Sequence, residues 1–413
     1  MPTFREYHFH LPHYHVDHDR DLKLLFGSHL IFTTLGSLIF FFFPLFLFQF
    51  SQVMPLAFLS DYSPLQQGLI LIAFYYALMR VVALLTTIPI ANLLAHQGTR
   101  FCLLFAHVLF ILKLVLLTQV TFYPELIFLT AVIQGVFINA YWMSYHLMMT
   151  QKTHVTNLGK DLGLLQFMVE FCKMLTPAIG GLIIVTLGYS ILFASGILLL
   201  LLSLMLVLSF KTNRLVQEVT LAEVKNLMVN PSFSRHIFTF GGRYLNDAII
   251  TLWPLYVFLF LGAIDKVGYL YSLSLLLALV LSLITGAYID KAKSKTGFYV
   301  SGGMLGAVWL SRLAAFTPIT IALTDTLDKL IAPVTWLFYD TLLFKAARGK
   351  STLLFFTTRE ISISLWAIGL WTAVGIIFMV IDSAWQALFI LAAIGVLLSL
   401  LMTDTFTYGK TKK

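Results

Sequence analysis

The sequence predicts an all-α protein that crosses a membrane about twelve times. Hydrophobic residues make up 59% of its 413 residues, charged residues only 11%, and long apolar runs recur from residue 28 onward. A helix needs about 20 residues to cross the hydrocarbon core of a bilayer, and these runs reach that length. Because segments such as 191–210 are apolar on every face, they fit helices and not the alternating strands of a barrel.

The candidate spans form two groups of six. The first group is 28–50, 64–90, 100–120, 125–149, 163–187 and 190–210. The second group is 234–261, 267–289, 297–316, 319–345, 352–380 and 384–402. A polar linker, 211–233, separates them, so we expect two pseudo-symmetric six-helix bundles, 28–210 and 234–403. The tails are 1–27 and the basic 404–413.

Basic residues lie mainly on one side of this topology. The loops after even-numbered spans and the tails carry Arg100, Lys211, Arg214, Lys225, Lys291, Lys293, Lys295, Lys345, Arg348, Lys350, Lys410, Lys412 and Lys413. The positive-inside rule therefore predicts a multi-pass protein of the cytoplasmic (inner) membrane with both termini in the cytoplasm. This placement accounts for the formal net charge of +8 without a nucleic-acid partner.

The linker contains the segment Thr220-Leu-Ala-Glu223, which has the spacing of a helix-capping box. It predicts a short amphipathic helix at the membrane surface. In that helix we expect Leu221, Val224 and Leu227 to face the bilayer.

Five histidines lie close together in the N-terminal tail: His8, His10, His13, His15 and His18. Neutral imidazoles can bind zinc, nickel or copper. The alternative is an unstructured extension, and composition alone defines no coordination geometry. We therefore assign no metal site.

The loop after the eighth span reads Gly286-Ala-Tyr-Ile-Asp290-Lys291, and it resembles the cytoplasmic Gly-x-x-x-Asp-Arg/Lys signature of the major facilitator superfamily. A glycine in this motif lets two helices approach closely, and the basic residue stays at the membrane surface.

The loop after the second span resembles the same signature less closely. Gly98 and Arg100 fit it, whereas Ala91 and Ala95 replace its glycine and its acid. The two loops occupy equivalent places in the two halves, as expected of a duplicated six-helix unit.

The resemblance implies a secondary active transporter that moves a small organic solute by alternating access, as a monomer in the lipid bilayer. It implies no cofactor and a proton gradient as the energy source, with sodium coupling as a less favoured option. A non-transporting sensor or scaffold is the alternative function, favoured by Ala91 and Ala95. The sequence contains no nucleophile with a base and no phosphate-binding loop, so we expect no enzyme.

Charged residues inside spans seven and ten are the candidate coupling site. Arg243 and Asp247 are four residues apart, and Asp325 and Asp328 are three apart, so each pair shares a helix face. The resemblance implies that these spans line the central cavity. Asp247, Asp325 or Asp328 would carry the proton, with Arg243 as the switching countercharge. A fixed structural network of the same residues is the alternative.

The predicted substrate cavity combines residues of spans two, four and five. Span four offers Asn139, Tyr141, Trp142 and His146, which can stack on and hydrogen-bond an organic solute or, alternatively, lie at the membrane interface. The other members are Arg80, Glu170 and Lys173, of which the last two can instead form a structural pair. Arg80 and Arg243 suit an anionic solute, but the acids can balance them, so the substrate stays open.

Overall fold

The structure is a computed structural model that describes residues 20–54, 57–153, 158–211, 218–289, 294–348, 352–381 and 384–405. The secondary structure of these residues is helical. The first half comprises α1 Arg20–Ile39, α2 Phe43–Val53, a 3-10 turn Ala57–Leu59, α3 Pro64–Gln119, α4 Leu126–Lys152, α5 Leu158–Lys173, α6 Thr176–Leu187 and α7 Tyr189–Leu208.

The second half follows a short linker helix, α8 Leu221–Met228. It comprises α9 Pro231–Leu261, α10 Ile264–Ile289, α11 Ser294–Ser311, a 3-10 turn Arg312–Ala314, α12 Pro318–Ala347, α13 Thr352–Val380 and α14 Trp385–Ser399.

These helices make twelve membrane spans, which confirms the predicted fold class. Eight segments of the described residues are long and apolar enough to cross a membrane. One of them, α3, has 56 residues and breaks at Gly98, so it supplies spans two and three. The apolar helices α10, α11 and α14 supply spans eight, nine and twelve. Spans one and five each consist of two consecutive helices, α1 with α2 and α5 with α6.

Gly98 turns the chain between spans two and three. Its φ of 85° and ψ of 170° lie outside the helical region. Side chains with a Cβ rarely adopt a positive φ, and glycine does so without steric cost. Backbone geometry therefore explains the glycine at position 98.

Capping boxes fix where several helices begin. Ser63 and Gln66 close a box at the start of α3, and Thr317 and Thr320 do so at the start of α12. Each box satisfies backbone N–H groups that have no partner within the helix. In both helices a proline directly follows the N-cap residue, Ser63 or Thr317, and the fixed φ of proline suits the first helical turn.

The predicted capping box of the linker is also present. The Thr220 hydroxyl accepts from the Glu223 backbone N–H, and the Glu223 carboxylate accepts from the Thr220 N–H at 2.9 Å. The expectation that Val224 and Leu227 face the bilayer is wrong. Both are buried because α8 packs against α9 and α13, whereas Leu221 is exposed.

The first span begins earlier than the sequence predicted. Residues 20–27, assigned to the tail, form the first two turns of α1. The Asp21 carboxylate lies 3.2 Å from the Lys152 ammonium at the end of α4. This ion pair lets polar residues extend the helix beyond its apolar part.

Close glycine contacts bring helices together within the second half. A Cβ added at Gly242 would lie 2.5 Å from the Gly395 carbonyl oxygen, and one at Gly395 would lie 2.7 Å from the Gly242 oxygen. Spans seven and twelve therefore touch backbone to backbone, which is how small residues hold membrane helices together.

An even number of spans places Arg20 and Thr405 on one side of the bundle, here called the terminus side; the other is the far side. On the far side, spans five and eight join the two halves. A Cβ at Gly268 would lie 2.3 Å from the Pro177 carbonyl oxygen, and the Ser272 hydroxyl accepts from the Ala178 N–H at 3.1 Å.

The terminus side has its own contact between the halves. Arg348, just after α12, donates from Nη2 to the Thr153 carbonyl oxygen at 2.8 Å and to its hydroxyl at 2.9 Å. Thr153 is the C-cap of α4. Burial lowers the pKa of the Arg348 guanidinium. It stays charged at neutral pH because an arginine loses its proton only in strong base.

Candidate functional site

Arg243 and Asp247 form an ion pair near the middle of α9. The Arg243 Nε donates to Asp247 Oδ2 at 2.9 Å. The Arg243 guanidinium carbon lies 3.8 Å from the centre of the Trp336 ring on α12. Spans seven and ten are thus linked through one cation that both pairs with an acid and stacks on an aromatic ring.

A second contact fixes the Asp247 carboxylate. The Asn246 side-chain amide donates to Asp247 Oδ1 at 3.1 Å, and the Trp309 indole N–H donates to Asn246 Oδ1 at 2.8 Å. Asn246 and Trp309 are both buried. The side chain is therefore held by neighbours in spans seven and nine.

The Arg243–Asp247 pair remains accessible despite its place in mid-span. The Asp247 side chain is 45% exposed and that of Arg243 is 23% exposed. Because Arg243 points at Trp336 of span ten, this face of α9 is turned into the bundle and not toward lipid. The two charged groups are therefore partly exposed within the bundle.

Asp340 and Arg359 add charge close to this pair, and the predicted site did not include them. Asp340, on α12, interacts electrostatically with Arg243, Arg359 and Asp247. Arg359, on α13, pairs with its buried neighbour Glu360. The acids and bases around the pair therefore come from spans seven, ten and eleven.

Asp325 and Asp328 belong to a second cluster of charged residues, which is buried in the second half of the chain. Asp328 Oδ1 is 3.6 Å from Nη2 of Arg312, and Lys329 Nζ is 3.3 Å from Asp328 Oδ2. Lys329 Nζ is also 3.6 Å from Asp325 Oδ1. Two acids thus face two bases, with side-chain exposures of 0–9%.

Aromatic side chains enclose this buried cluster. The Arg312 guanidinium carbon lies 4.1 Å from the centre of the Trp253 ring and 4.0 Å from that of Trp309. Trp253 also donates its indole N–H to Asp325 at 2.9 Å. Lys329 Nζ lies 4.0 Å from the centre of the Tyr271 ring. The charges are balanced and covered, which fits a fixed network.

Asn139 and Tyr141 lie inside the first half. The Asn139 amide donates to the Ala83 carbonyl oxygen at 2.6 Å and to the Thr86 hydroxyl at 3.0 Å. The Tyr141 hydroxyl is 3.0 Å from Nδ1 of His29 on α1. Both side chains are buried, and they tie span four to spans two and one.

His146, on the same helix, faces the second half. Its ring stacks on Phe356 of α13 with centroids 5.2 Å apart, and it lies 5.8 Å from the Phe344 ring of α12. Trp142 stacks on His146 one turn away, at 5.5 Å. His146 therefore contributes to the interface between the halves, and Trp142 packs on it from within the first half.

Arg80 of span two reaches across to the second half. Its guanidinium carbon lies 4.5 Å from the centre of the Tyr244 ring on α9. The Tyr244 hydroxyl accepts from the Trp371 indole N–H at 2.8 Å. Trp371 in turn stacks on Tyr76, one turn before Arg80, at 4.6 Å. Spans two, seven and eleven therefore meet at this contact.

Glu170 and Lys173 are paired with each other on α5, at 3.5 Å. The Gln166 side-chain amide also donates to Glu170, at 2.8 Å. Lys173 lies within electrostatic reach of His29 on α1. The pair thus sits beside span one.

The signature loops are only partly described. Gly286 lies in the last turns of α10, and Asp290 and Lys291 lie outside the described residues, as does the histidine-rich tail. Arg100 follows the break at Gly98 and keeps a buried Nε with no hydrogen-bond partner in the described ranges. No group of three metal-ligating side chains occurs in those ranges either.

The fold of the chain resembles that of solved transporters. The human organic anion transporter TETRAN matches with a TM-score of 0.66 and 13% identity, over 93% of this chain and 99% of that one. A D-xylose-proton symporter matches with a TM-score of 0.63 and 17% identity, over 94% and 99%. The fucose:proton symporter FucP of E. coli matches with a TM-score of 0.62 and 13% identity, over 92% and 96%.

Sequence comparison gives no such result: no family model and no curated protein matches the chain. The structural matches cover nearly the whole chain on both sides, so they establish the fold over its length.

Proposed function

We propose that this protein, which has the major facilitator fold, is a secondary active transporter. It moves a small organic solute by alternating access, and its transport is coupled to protons through Asp247. The observation that carries the proposal is the Arg243–Asp247 pair, a charged and partly exposed pair in the middle of span seven. A charge kept inside a membrane span is costly, so one that faces an internal space is a functional candidate.

Asp247 is favoured over Asp325 and Asp328 as the proton carrier because of exposure. A carrier has to exchange protons with water, and the Asp247 side chain is 45% exposed, against 0% for Asp325 and 6% for Asp328. The two buried acids also share Arg312 and Lys329, so their charges are already balanced. We assign them a structural role.

Protonation of Asp247 would release Arg243. The neutral carboxyl group attracts the guanidinium far less, which leaves Arg243 with Trp336 and with Asp340 in electrostatic reach. Spans seven and ten would then move relative to each other. This is the switch that the sequence predicted for Arg243, with a single acid as its partner.

Alternating access would use the two sets of contacts between the halves. The contact of Gly268 with span five would separate in the state that opens to the far side. The Arg348–Thr153 contact would separate in the state that opens to the terminus side. The two symporters among the structural matches are named as proton-coupled, which supports the choice of ion.

The proposal is tested by uptake into proteoliposomes across a solute panel, with and without a pH gradient. We expect gradient-driven accumulation of at least one solute by the wild-type protein. Asp247→Asn should abolish the accumulation and retain solute exchange, whereas Asp61→Asn, at an exposed loop position, should keep both. Uptake of a solute that is indifferent to the gradient in every variant would overturn proton coupling. No uptake of any solute would favour the sensor or scaffold.

A further inference from the structure

Arg80 differs from most of the cations that lie away from the ends of the spans. Five of them face an acid at 4 Å or less, in the pairs Arg243–Asp247, Arg312–Asp328, Lys329–Asp325, Arg359–Glu360 and Lys173–Glu170. In the described parts of the chain, Arg80 and Lys113 have no acid partner of this kind. A cation held in a membrane span without an acid needs another source of compensation.

Lys113 finds that compensation inside the first half. It is 1% exposed, and its ammonium donates to the Gln134 side-chain oxygen at 3.0 Å. The rings of Phe40, Phe43 and Phe110 surround it at 4.4–5.5 Å. A hydrogen bond and cation–π contacts together stabilise the charge where it is.

Arg80 has the cation–π contact alone. The face of its guanidinium lies on Tyr244, but that contact leaves the N–H donors in the guanidinium plane unused. Nε and Nη1 are buried and have no hydrogen-bond partner among the described residues. Arg312 also has Nε and Nη1 without a hydrogen-bond partner, but Asp328 lies 3.6 Å from its guanidinium, and Arg80 has no such acid among the described residues.

Arg80 lies at a contact between the two halves. It is near the middle of span two, and Tyr244 is next to Arg243 in span seven. The contact therefore joins the two halves at the depth of the accessible Arg243–Asp247 pair. A group bound there would touch both halves and would be released when they separate.

We propose that the solute carries a negative charge, a carboxylate or a group of similar shape, and that Arg80 is the residue that receives it. A guanidinium presents parallel N–H donors that match the two oxygens of a carboxylate. Asp247 and Glu360 are already paired with Arg243 and Arg359, so an anion bound at Arg80 would balance the charge of Arg80. This inference rests on the proposed function and specifies its substrate class.

The test compares carboxylates with their uncharged amides in the full-length protein in nanodiscs. Thermal stabilisation is titrated with benzoate, phenylacetate and lactate, and with benzamide, phenylacetamide and lactamide. We expect at least one carboxylate to bind about 10- to 100-fold more tightly than its amide, which is the contribution of a hydrogen bond to a charged group.

Three variants assign the preference to Arg80. Arg80→Gln should bring the carboxylate down to the affinity of its amide, and Arg80→Lys should restore part of the difference because it keeps the charge and loses the paired donors. Lys113→Gln, at the other cation without an acid, should keep the preference. Equal binding of the two forms, no binding of either, or a preference that survives in Arg80→Gln would overturn the inference.

The two proposals fail in different ways. Gradient-driven uptake of uncharged solutes, with no carboxylate preference, would refute the anion inference and leave proton-coupled transport intact. Carboxylate binding through Arg80 without uptake of any solute would refute the transport proposal and keep the binding site.

Discussion

The Arg243 guanidinium donates to Asp247 at 2.9 Å while its face lies on Trp336, 3.8 Å from the ring centre. The first contact stays within α9, and the second reaches α12. Arg243 therefore contacts both an acid of span seven and an aromatic ring of span ten. Both contacts depend on the planar shape of a guanidinium.

Replacement of Arg243 by lysine tests this dual contact. Arg243→Lys keeps the charge but loses the Nε donor and the flat face, and we expect gradient-driven uptake to fall about 10- to 100-fold. Arg235→Lys, at an exposed position of the same helix, should leave uptake unchanged. Wild-type rates in Arg243→Lys would show that charge alone is required.

The buried cluster should govern stability and not coupling. Asp328→Asn leaves Arg312 without its acid, and breaking a buried pair costs about 3–5 kcal/mol. We expect a lower unfolding temperature in detergent, partly recovered in the double variant Arg312→Met with Asp328→Leu. Folded Asp328→Asn protein should retain the pH dependence of uptake. Loss of that dependence at unchanged stability would instead place the proton on Asp328.

The contact of Arg348 with Thr153 should keep the terminus side closed. Arg348→Gln removes its charge-assisted bonds to the C-cap of α4, so this side should open more often. A reporter, Leu337→Cys, is placed beside Gly163 between spans ten and five in a background of Cys102→Ser and Cys172→Ser. We expect faster labelling of the reporter in Arg348→Gln. Arg235→Gln is the matched surface control, and equal labelling rates in the two variants would contradict a closing role.

Gly268 should be intolerant of even a methyl group. An added Cβ would lie 2.3 Å from the Pro177 carbonyl oxygen, so Gly268→Ala must push spans five and eight apart. Such overpacking costs about 1–3 kcal/mol and should lower the unfolding temperature. Gly303→Ala is the matched control because nothing lies within 4 Å of its added Cβ. Equal unfolding temperatures in both variants would show that the contact of spans five and eight gives way easily.

Local signals explain why the fold could be predicted from sequence. Apolar runs, the break at Gly98 and the capping box of Thr220 with Glu223 each depend on residues close together in the chain. The orientation of α8 could not be predicted in the same way. Val224 and Leu227 are apolar whether they face lipid or protein, and only the packing of α8 on α9 and α13 distinguishes the two.

The sequence could predict only those relationships in the candidate site that depend on residues close together in the chain. The spacing of Arg243 and Asp247 indicates their pairing, because both lie on one helix. The partnership of Arg312 with Asp328 joins two spans, and no local pattern encodes it. Asn139 similarly looks like a cavity residue in sequence, yet its amide is used by the Ala83 carbonyl of the neighbouring helix.

Proton movement through Asp247 is the central claim, and a pH-sensitive dye inside proteoliposomes tests it most directly. A transported solute is added outside at equal internal and external pH, and the internal pH is recorded. We predict a solute-dependent pH change in the wild-type protein and in Asp61→Asn, and none in Asp247→Asn. Entry of labelled solute into wild-type vesicles without any pH change would contradict the account.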